Sequence, residues 1–288
     1  MSTAAGVEAA YRHCEEITRR EARNFSYGIR LLPAEKRRAM SAVYATARRI
    51  DDIGDGALPA AEKLARLDQT RNALHRLPAG GGDPVLDALG DAARRFPIPL
   101  TAFDEVIDGC AADVQGRRYR SIDDLLWYCR CVAGSIGRLS LGVFGTAEPA
   151  RASALADALG VALQLTNILR DLVEDRVARR VYVPAEDLDR FGCALHLDGG
   201  QLTDPPDRLI ALVRWEAERA ERWYRDGLRL LPMLDWRSGA CTAAMAGIYH
   251  RLLARIASDP LAVTRTRLSL PSREKAWVAA QALVGHAA

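Results

Sequence analysis

Two pairs of aspartates have the spacing that stacks side chains one turn apart on a helix: Asp51 with Asp55, and Asp171 with Asp175. In residues 34–55, AEKRRAMSAVYATARRIDDIGD, helical periodicity places Tyr44, Arg48, Asp51 and Asp55 within about 60° of arc. Met40, Val43, Ala47 and Ile50 form the adjoining apolar stripe, and Arg38 and Arg49 point nearly opposite. Two carboxylates beside a core-facing stripe repel each other and are costly unless a cation or strong donor compensates. Taken alone, the pair reads more readily as a solvated acidic helix end with Arg48 as its partner.

The second segment, GVALQLTNILRDLVED over residues 160–175, repeats the geometry. Gly160, Gln164, Asn167, Asp171 and Asp175 fall within roughly 80° of one another, with Leu165, Ile168 and Leu172 on the neighbouring face. Arg176, Arg179, Arg180 and Tyr182 follow at once. Carboxylates giving way to guanidiniums suit a metal-neutralised polyanion: oxygens for a hard cation, forked donors for phosphates. Magnesium keeps several waters and takes one or two carboxylates per ion, so two such helices facing each other are expected to hold Mg2+, with Mn2+ as a substitute, against a diphosphate. The metal would draw charge from a departing diphosphate, and an apolar, aromatic-lined tunnel would keep water from the resulting cation.

The elements that must position these lines are helices. Segments between turn signals are rich in Ala, Leu, Arg and Glu at helical spacing, and alternating β-branched stretches are nearly absent, so the fold class is all-α. Breaks at Leu32-Pro33, Leu77-Pro78 through Pro84, Phe96-Pro97, Gly145 to Pro149, the loop Gly192 to Pro206, Leu231-Pro232 and Ser258 to Pro260 divide the chain into eight to ten expected helices. None of these breaks is biased enough for a linker, so residues 1–288 are expected to form one domain around a central cavity. Forty basic against 37 acidic residues, a net charge of +3, gives no field suited to nucleic acid. The six cysteines lack CxxC spacing, so neither zinc nor a disulfide framework is indicated, and Cys129 and Cys131 read as packing residues. No apolar run is read as long enough to span a bilayer, and the N-terminus lacks signal-peptide order; a cytoplasmic protein is expected, with peripheral contact at the inner membrane face left open. Trp215, Trp223 and Tyr224, among Arg214, Arg219, Arg222 and Arg225, read as a surface helix with cation–π contacts, or as a membrane-facing patch.

Three phrases, NFSYGIRLLPAEKRRAMSAVYATARRIDDIGD, WYCRCVAGSIGRL and QLTNILRDLVEDRVARRVYVP, resemble the squalene/phytoene synthase family in order and spacing, from about Arg23 to Lys275. The resemblance implies an all-helical isoprenoid synthase fold. It implies that Asp51, Asp52 and Asp55, and Asn167, Asp171 and Asp175, hold the metal, with Gln164 beside them. Arg48, Tyr249, Arg267 and Lys275 match diphosphate-holding positions, and Arg23 and Asn24 lie in the segment used around the same phosphates. Phe25, Tyr44, Tyr128, Val132, Ala133, Ile136 and Leu163 match the hydrocarbon wall, although an apolar helical face looks the same whether it packs on protein or on a prenyl chain.

Within the family, the NFSYGIRLLP opening and the DDIGD form most resemble presqualene diphosphate synthases of bacterial hopanoid pathways. The implied reaction is head-to-head joining of two farnesyl diphosphates, with isoprenyl diphosphates as partners and later hopanoid-pathway enzymes as further ones. Asp51, Asp55, Asp171, Asp175, Tyr44 and Arg48 form the expected catalytic set; the proton acceptor stays open among Tyr44, Tyr249 and the released diphosphate. Phytoene synthase would use the same machinery on the C20 diphosphate. Squalene synthase would add NADPH, which is not expected here, and hydroxysqualene synthase would start from the cyclopropyl diphosphate. A noncatalytic isoprenoid-binding subunit would be expected to have lost metal ligands, and all four aspartates are present.

Overall fold

The computed structural model describes residues 4–22, 24–77 and 82–285. Its helices in chain order are α1 (Ala4–Glu21), α2 (Phe25–Ile29), α3 (Ala34–Asp55), α4 (Ala60–His75), α5 (Pro84–Arg95), α6 (Ala102–Val114), α7 (Ile122–Cys129) and α8 (Ser135–Phe144). They continue as α9 (Pro149–Arg170), α10 (Leu172–Val177), α11 (Ala185–Phe191), α12 (Pro206–Gly227), α13 (Trp236–Ser258), α14 (Ala262–Arg265) and α15 (Ser272–Leu283). A π-helical turn, Arg130–Gly134, joins α7 to α8, and a 3-10 turn, Leu228–Met233, follows α12. The all-α expectation holds. The number of segments exceeds the expected eight to ten because several helices are single turns.

One expected loop is not structureless. Between Gly192 and Pro206, Leu197–Asp198 pairs antiparallel with Gln201–Leu202. Gly199 and Gly200 at positive φ make the two-residue turn that such a hairpin favours.

Local chemistry explains the helix starts. Asp83 caps α5 by accepting from the Val85 and Leu86 amides, with Pro84 at the first helical position. Ser121 and Asp124 form a capping box on α7, and Asp235 caps α13. The Asp83 cap is itself clamped by Arg49 through bonds of 2.5 and 2.9 Å, which turns the outer face of α3 towards α5.

Two apolar clusters organise the interior. One gathers α1, α3, α5, α6 and α8 around Ile50, Leu89, Phe103, Ile107 and Leu139; the other gathers α7, α9, α12 and α13 around Leu125, Leu169, Leu212, Tyr224 and Ile248. Helix α9 packs on α8, α12, α13 and the π turn. It corrects the membrane reading from sequence, because by length and composition it is apolar enough to cross a bilayer, although most of its apolar window is buried in the protein. Gly160 makes its closest approach possible: a Cβ there would lie 2.5 Å from the Ala133 carbonyl oxygen. Gly160 therefore belongs to the packing between α9 and the π turn.

The aromatic segment of α12 makes the expected cation–π contacts through Trp215 and Trp223, with Arg214, Arg222 and Arg225 exposed, but Tyr224 and Arg219 are buried rather than on the surface. Tyr224 is fully buried and its hydroxyl lies 3.1 Å from Thr166 Oγ1. Trp215 donates to Asp187 at 3.0 Å and lies under Arg190. Trp223 meets Arg130, and all six cysteines are buried thiols.

Candidate active site

Helix α3 spans Ala34–Asp55 as read, with Met40, Val43 and Ile50 buried and Tyr44, Arg48, Asp51 and Asp55 along the adjoining side. Arg48 reaches Asp51 at 3.3 Å and Asp52 at 2.6 Å. The opposite face is anchored elsewhere, Arg38 to Glu8 and Arg49 to Asp83. This leaves the aspartate line free to face a pocket.

The second line is not one helix. Helix α9 ends at Arg170, Asp171 takes φ −102° and ψ 18°, and α10 begins at Leu172. The i to i+4 ladder nevertheless crosses the break: the Asp171 amide donates to the Asn167 carbonyl at 2.9 Å and the Asp175 amide to the Asp171 carbonyl at 2.8 Å. The bend brings Arg170 to its own neighbour, Asp171, which also accepts from Arg267 at 2.8 and 3.2 Å.

A Schellman turn then redirects the chain. Ala178 ends α10, Arg179 adopts φ +61°, and the Arg179 and Arg180 amides donate back to the Arg176 and Asp175 carbonyls. Arg180 is thereby turned to meet Asp55 of α3 at 2.8 Å, linking the two aspartate lines.

Between them lies a polar pocket of about 260 Å3. Asp51, Asp171, Asp175, Gln164, Asn167 and Tyr128 line it, as do Asp113, Ile168, Arg170, Arg180 and Tyr182. Burial raises Asp51 to about 6, with Asp55 adding repulsion and Arg48 and Arg180 opposing. Burial raises Asp175 to about 7, with Asp171 the next contributor. Asp171 behaves oppositely: burial alone would raise it, but Arg170 and Arg267 outweigh that and hold it below the usual carboxylate range.

These observations fit a divalent cation. Asp51 and Asp175 carry more negative charge than their neighbours compensate, and the buried Asn167 Oδ1 has no hydrogen-bond partner. Among the described residues no three His, Cys, Asp or Glu side chains converge tightly enough to grip a metal by themselves. Asp51, Asp171, Asp175 and Asn167 would supply oxygen donors to a hard cation such as magnesium, with waters and phosphate oxygens as its other ligands.

The other expected residues divide by position. Arg23 lies outside the described residues. Asn24 flanks α2 with a buried, unpartnered Oδ1. Phe25 packs 6.2 Å from Tyr44 and 6.0 Å from Tyr249, ring centre to ring centre. Val132 and Ala133 in the π turn, Ile136 on α8 and Leu163 on α9 are half-buried. Phe25 and Ile136 border one apolar cluster, Val132 and Leu163 the other, so these residues mark the seam between the two. Lys275 on α15 is half-buried and is not part of the polar lining, and Asp52 is exposed beside it. Tyr128, expected in the hydrocarbon wall, lines the polar pocket and directs its hydroxyl to Asp113.

Asp113 and Arg170 were not anticipated. Arg170 lies one helical step from Asp171, so regular periodicity turns it away, and only the break reverses that. Asp113 is a single acidic residue with no spaced partner to mark it.

Residues 18–274 match the squalene/phytoene synthase family. The phytoene synthase of Mycobacterium tuberculosis is 53% identical over 96% of the chain and 91% of the relative, and that of Arthrospira platensis is 35% identical over 96% and 93%. Among solved structures, a dehydrosqualene synthase in complex with ligand superposes with a TM-score of 0.84 at 28% identity, covering 97% of each chain. Squalene synthase HpnC from Alicyclobacillus acidocaldarius gives 0.79 at 29%, covering 88% of this chain and 95% of that one.

Proposed function

This chain belongs to the squalene/phytoene synthase family and is a prenyltransferase of the head-to-head class, and from that premise we propose that it joins two geranylgeranyl diphosphates to give phytoene. The observation that carries the C20 choice is the 53% identity, across nearly the whole chain, to a relative that bears the phytoene synthase name. In this reading Asp51, Asp55, Asn167, Asp171 and Asp175 hold divalent cations. A bound cation supplies neutralisation of the diphosphate and withdrawal of charge from its leaving oxygen.

The chain's own groups do the rest. Arg48, Arg170, Arg180 and Arg267 are paired with site carboxylates and carry forked donors that match phosphate oxygens. Against an incoming diphosphate, each guanidinium would exchange a carboxylate for a phosphate oxygen and remain compensated. The donor's allylic C–O bond then breaks, the C2=C3 bond of the second substrate attacks C1, and loss of a proton closes the cyclopropane; departure of the second diphosphate, opening of the ring and loss of a second proton then give the hydrocarbon. The half-buried seam from Phe25 to Leu163 holds the chains and excludes water. Burial lifts the Tyr44 phenol to about 12, so Tyr44 stands in the site as a neutral hydroxyl, and the released diphosphate is the stronger base for the proton.

A second reading keeps the chemistry and shortens the chain: two farnesyl diphosphates to presqualene diphosphate. It is favoured by the NFSYGIRLLP opening and by the dehydrosqualene and squalene synthase folds that superpose on this one. Pure protein incubated with Mg2+ and either diphosphate, with and without NADPH, separates the two. A C40 hydrocarbon from the C20 substrate is the expected product. A C30 cyclopropyl diphosphate formed without NADPH, and no turnover of the C20 substrate, would establish the second reading instead.

A further inference from the structure

One carboxylate in the pocket is held by two hydroxyls, with the charge of Arg180 acting on it from nearby. Asp113, one residue from the end of α6, accepts from the Tyr128 hydroxyl at 2.8 Å through Oδ2 and from the Tyr182 hydroxyl at 2.9 Å through Oδ1. Tyr128 comes from α7 and Tyr182 from the strand-like segment after α10, so three elements distant in sequence meet at one side chain. The two rings stack with centroids 4.8 Å apart, their hydroxyl oxygens 3.1 Å apart, and Tyr119 packs against both. All three rings are buried, yet Asp113, Tyr128 and Tyr182 line the same pocket as Asp51 and Asp175.

Packing alone does not account for this arrangement. A half-buried carboxylate bonded to two neutral phenols costs desolvation that an apolar cluster of the same shape would avoid. The bonds instead set orientation. A phenol has one proton, and with both protons drawn to the Asp113 carboxylate each phenol oxygen keeps lone pairs, the two oxygens meeting at 3.1 Å on the pocket wall. Two electron-rich oxygens there, held in fixed positions, favour a positive charge and offer no donor to an anion.

We propose that Asp113 is a positioning residue for the condensation: it orients the Tyr128 and Tyr182 hydroxyls so that their oxygens face the allylic cation as the diphosphate departs. The proposal rests on the head-to-head reading, and turnover of a prenyl diphosphate by the unmodified enzyme tests that reading separately. Replacing Asp113 by Asn preserves shape but presents an amide N–H to one phenol, which must then turn its proton to the other phenol or towards the pocket, so that at least one oxygen loses its free lone pair. Asp113→Asn is expected to lower kcat about tenfold or more while KM for the prenyl diphosphate stays within about threefold.

The decisive comparison is Asp113→Asn introduced into a Tyr128→Phe/Tyr182→Phe background. If Asp113 acts through the hydroxyls, the added loss of kcat there is under about twofold. An undiminished effect in that background, or a kcat within about twofold of the unmodified enzyme for Asp113→Asn alone, would overturn the proposal. Thermal melting accompanies each variant. Should Asp113→Asn melt below the assay temperature, Tyr182→Phe carries the test, with kcat expected to fall about threefold at constant KM and an unchanged kcat counting against it.

Discussion

Asp171 is the only aspartate of the two pairs held by two guanidiniums, and it is the one whose carboxyl lies below its ordinary range. Asp171→Asn should lower Tm without unfolding the protein, because Arg170 and Arg267 keep an oxygen to bond but lose its charge. It should reduce product formation by at least about a hundredfold, measured with labelled prenyl diphosphate, because the charge that a cation needs is gone. Retained activity would remove Asp171 from the metal set. Asp51 and Asp175 make the complementary case. Their folded values are raised to about 6 and about 7, so the folded protein binds these protons more tightly than the unfolded chain does. The stability that protonation supplies is therefore full near the unfolded carboxylate value of about 4 and is lost as pH rises through 6 and 7. A divalent cation competes with those protons. The rise in Tm on adding Mg2+ should be larger at pH 8 than at pH 5.5; equal rises at the two pH values would disprove cation binding by this pair.

At the scale of the element, the turn after α10 shows how local backbone conformation delivers a side chain. Arg179 sits at φ +61°, a position in a Schellman turn that glycine fills most readily. Arg179→Gly should stabilise the protein by about 1 kcal/mol in chemical denaturation, since it removes the steric cost of a side chain in the left-handed region. It should leave the Arg180–Asp55 contact in place. Much of this was legible in the sequence: Pro33 and the run to Asp55 bounded α3, and its polar line emerged with the right partners. The second line was read as continuous, because Asp171 and Asp175 have ordinary helical spacing and nothing in their types announces the break at Asp171. Arg170 was invisible for the same reason. Asp113 escaped because its meaning lies in two tyrosines brought to it by other elements. Tyr224 was misplaced because arginines around it suggested a surface, whereas its own helical face packs on Thr166.

The molecule as a whole relies on a buried polar clamp away from the pocket. Asp187 of α11 and Glu216 of α12 share Arg219, all three nearly inaccessible, with Arg219 2.8 Å from Asp187 and 2.6 Å from Glu216. Arg219→Met should cost about 3–5 kcal/mol by leaving two buried carboxylates without their cation, seen as a large fall in Tm with little change in KM among molecules still folded. The opposite situation holds where α9 meets its neighbours. A Cβ at Gly160 would fall 2.5 Å from the Ala133 oxygen, and one at Gly227 would fall 2.6 Å from the Leu159 Cα, so main chains already touch there. A frame closed at the backbone cannot spread to admit a longer tail. Under the proposed occupancy, carbon number is then gauged as in a stopped bore, by how far in Val132, Ile136 or Leu163 blocks the way, and product length can change by one side chain while the fold stays the same.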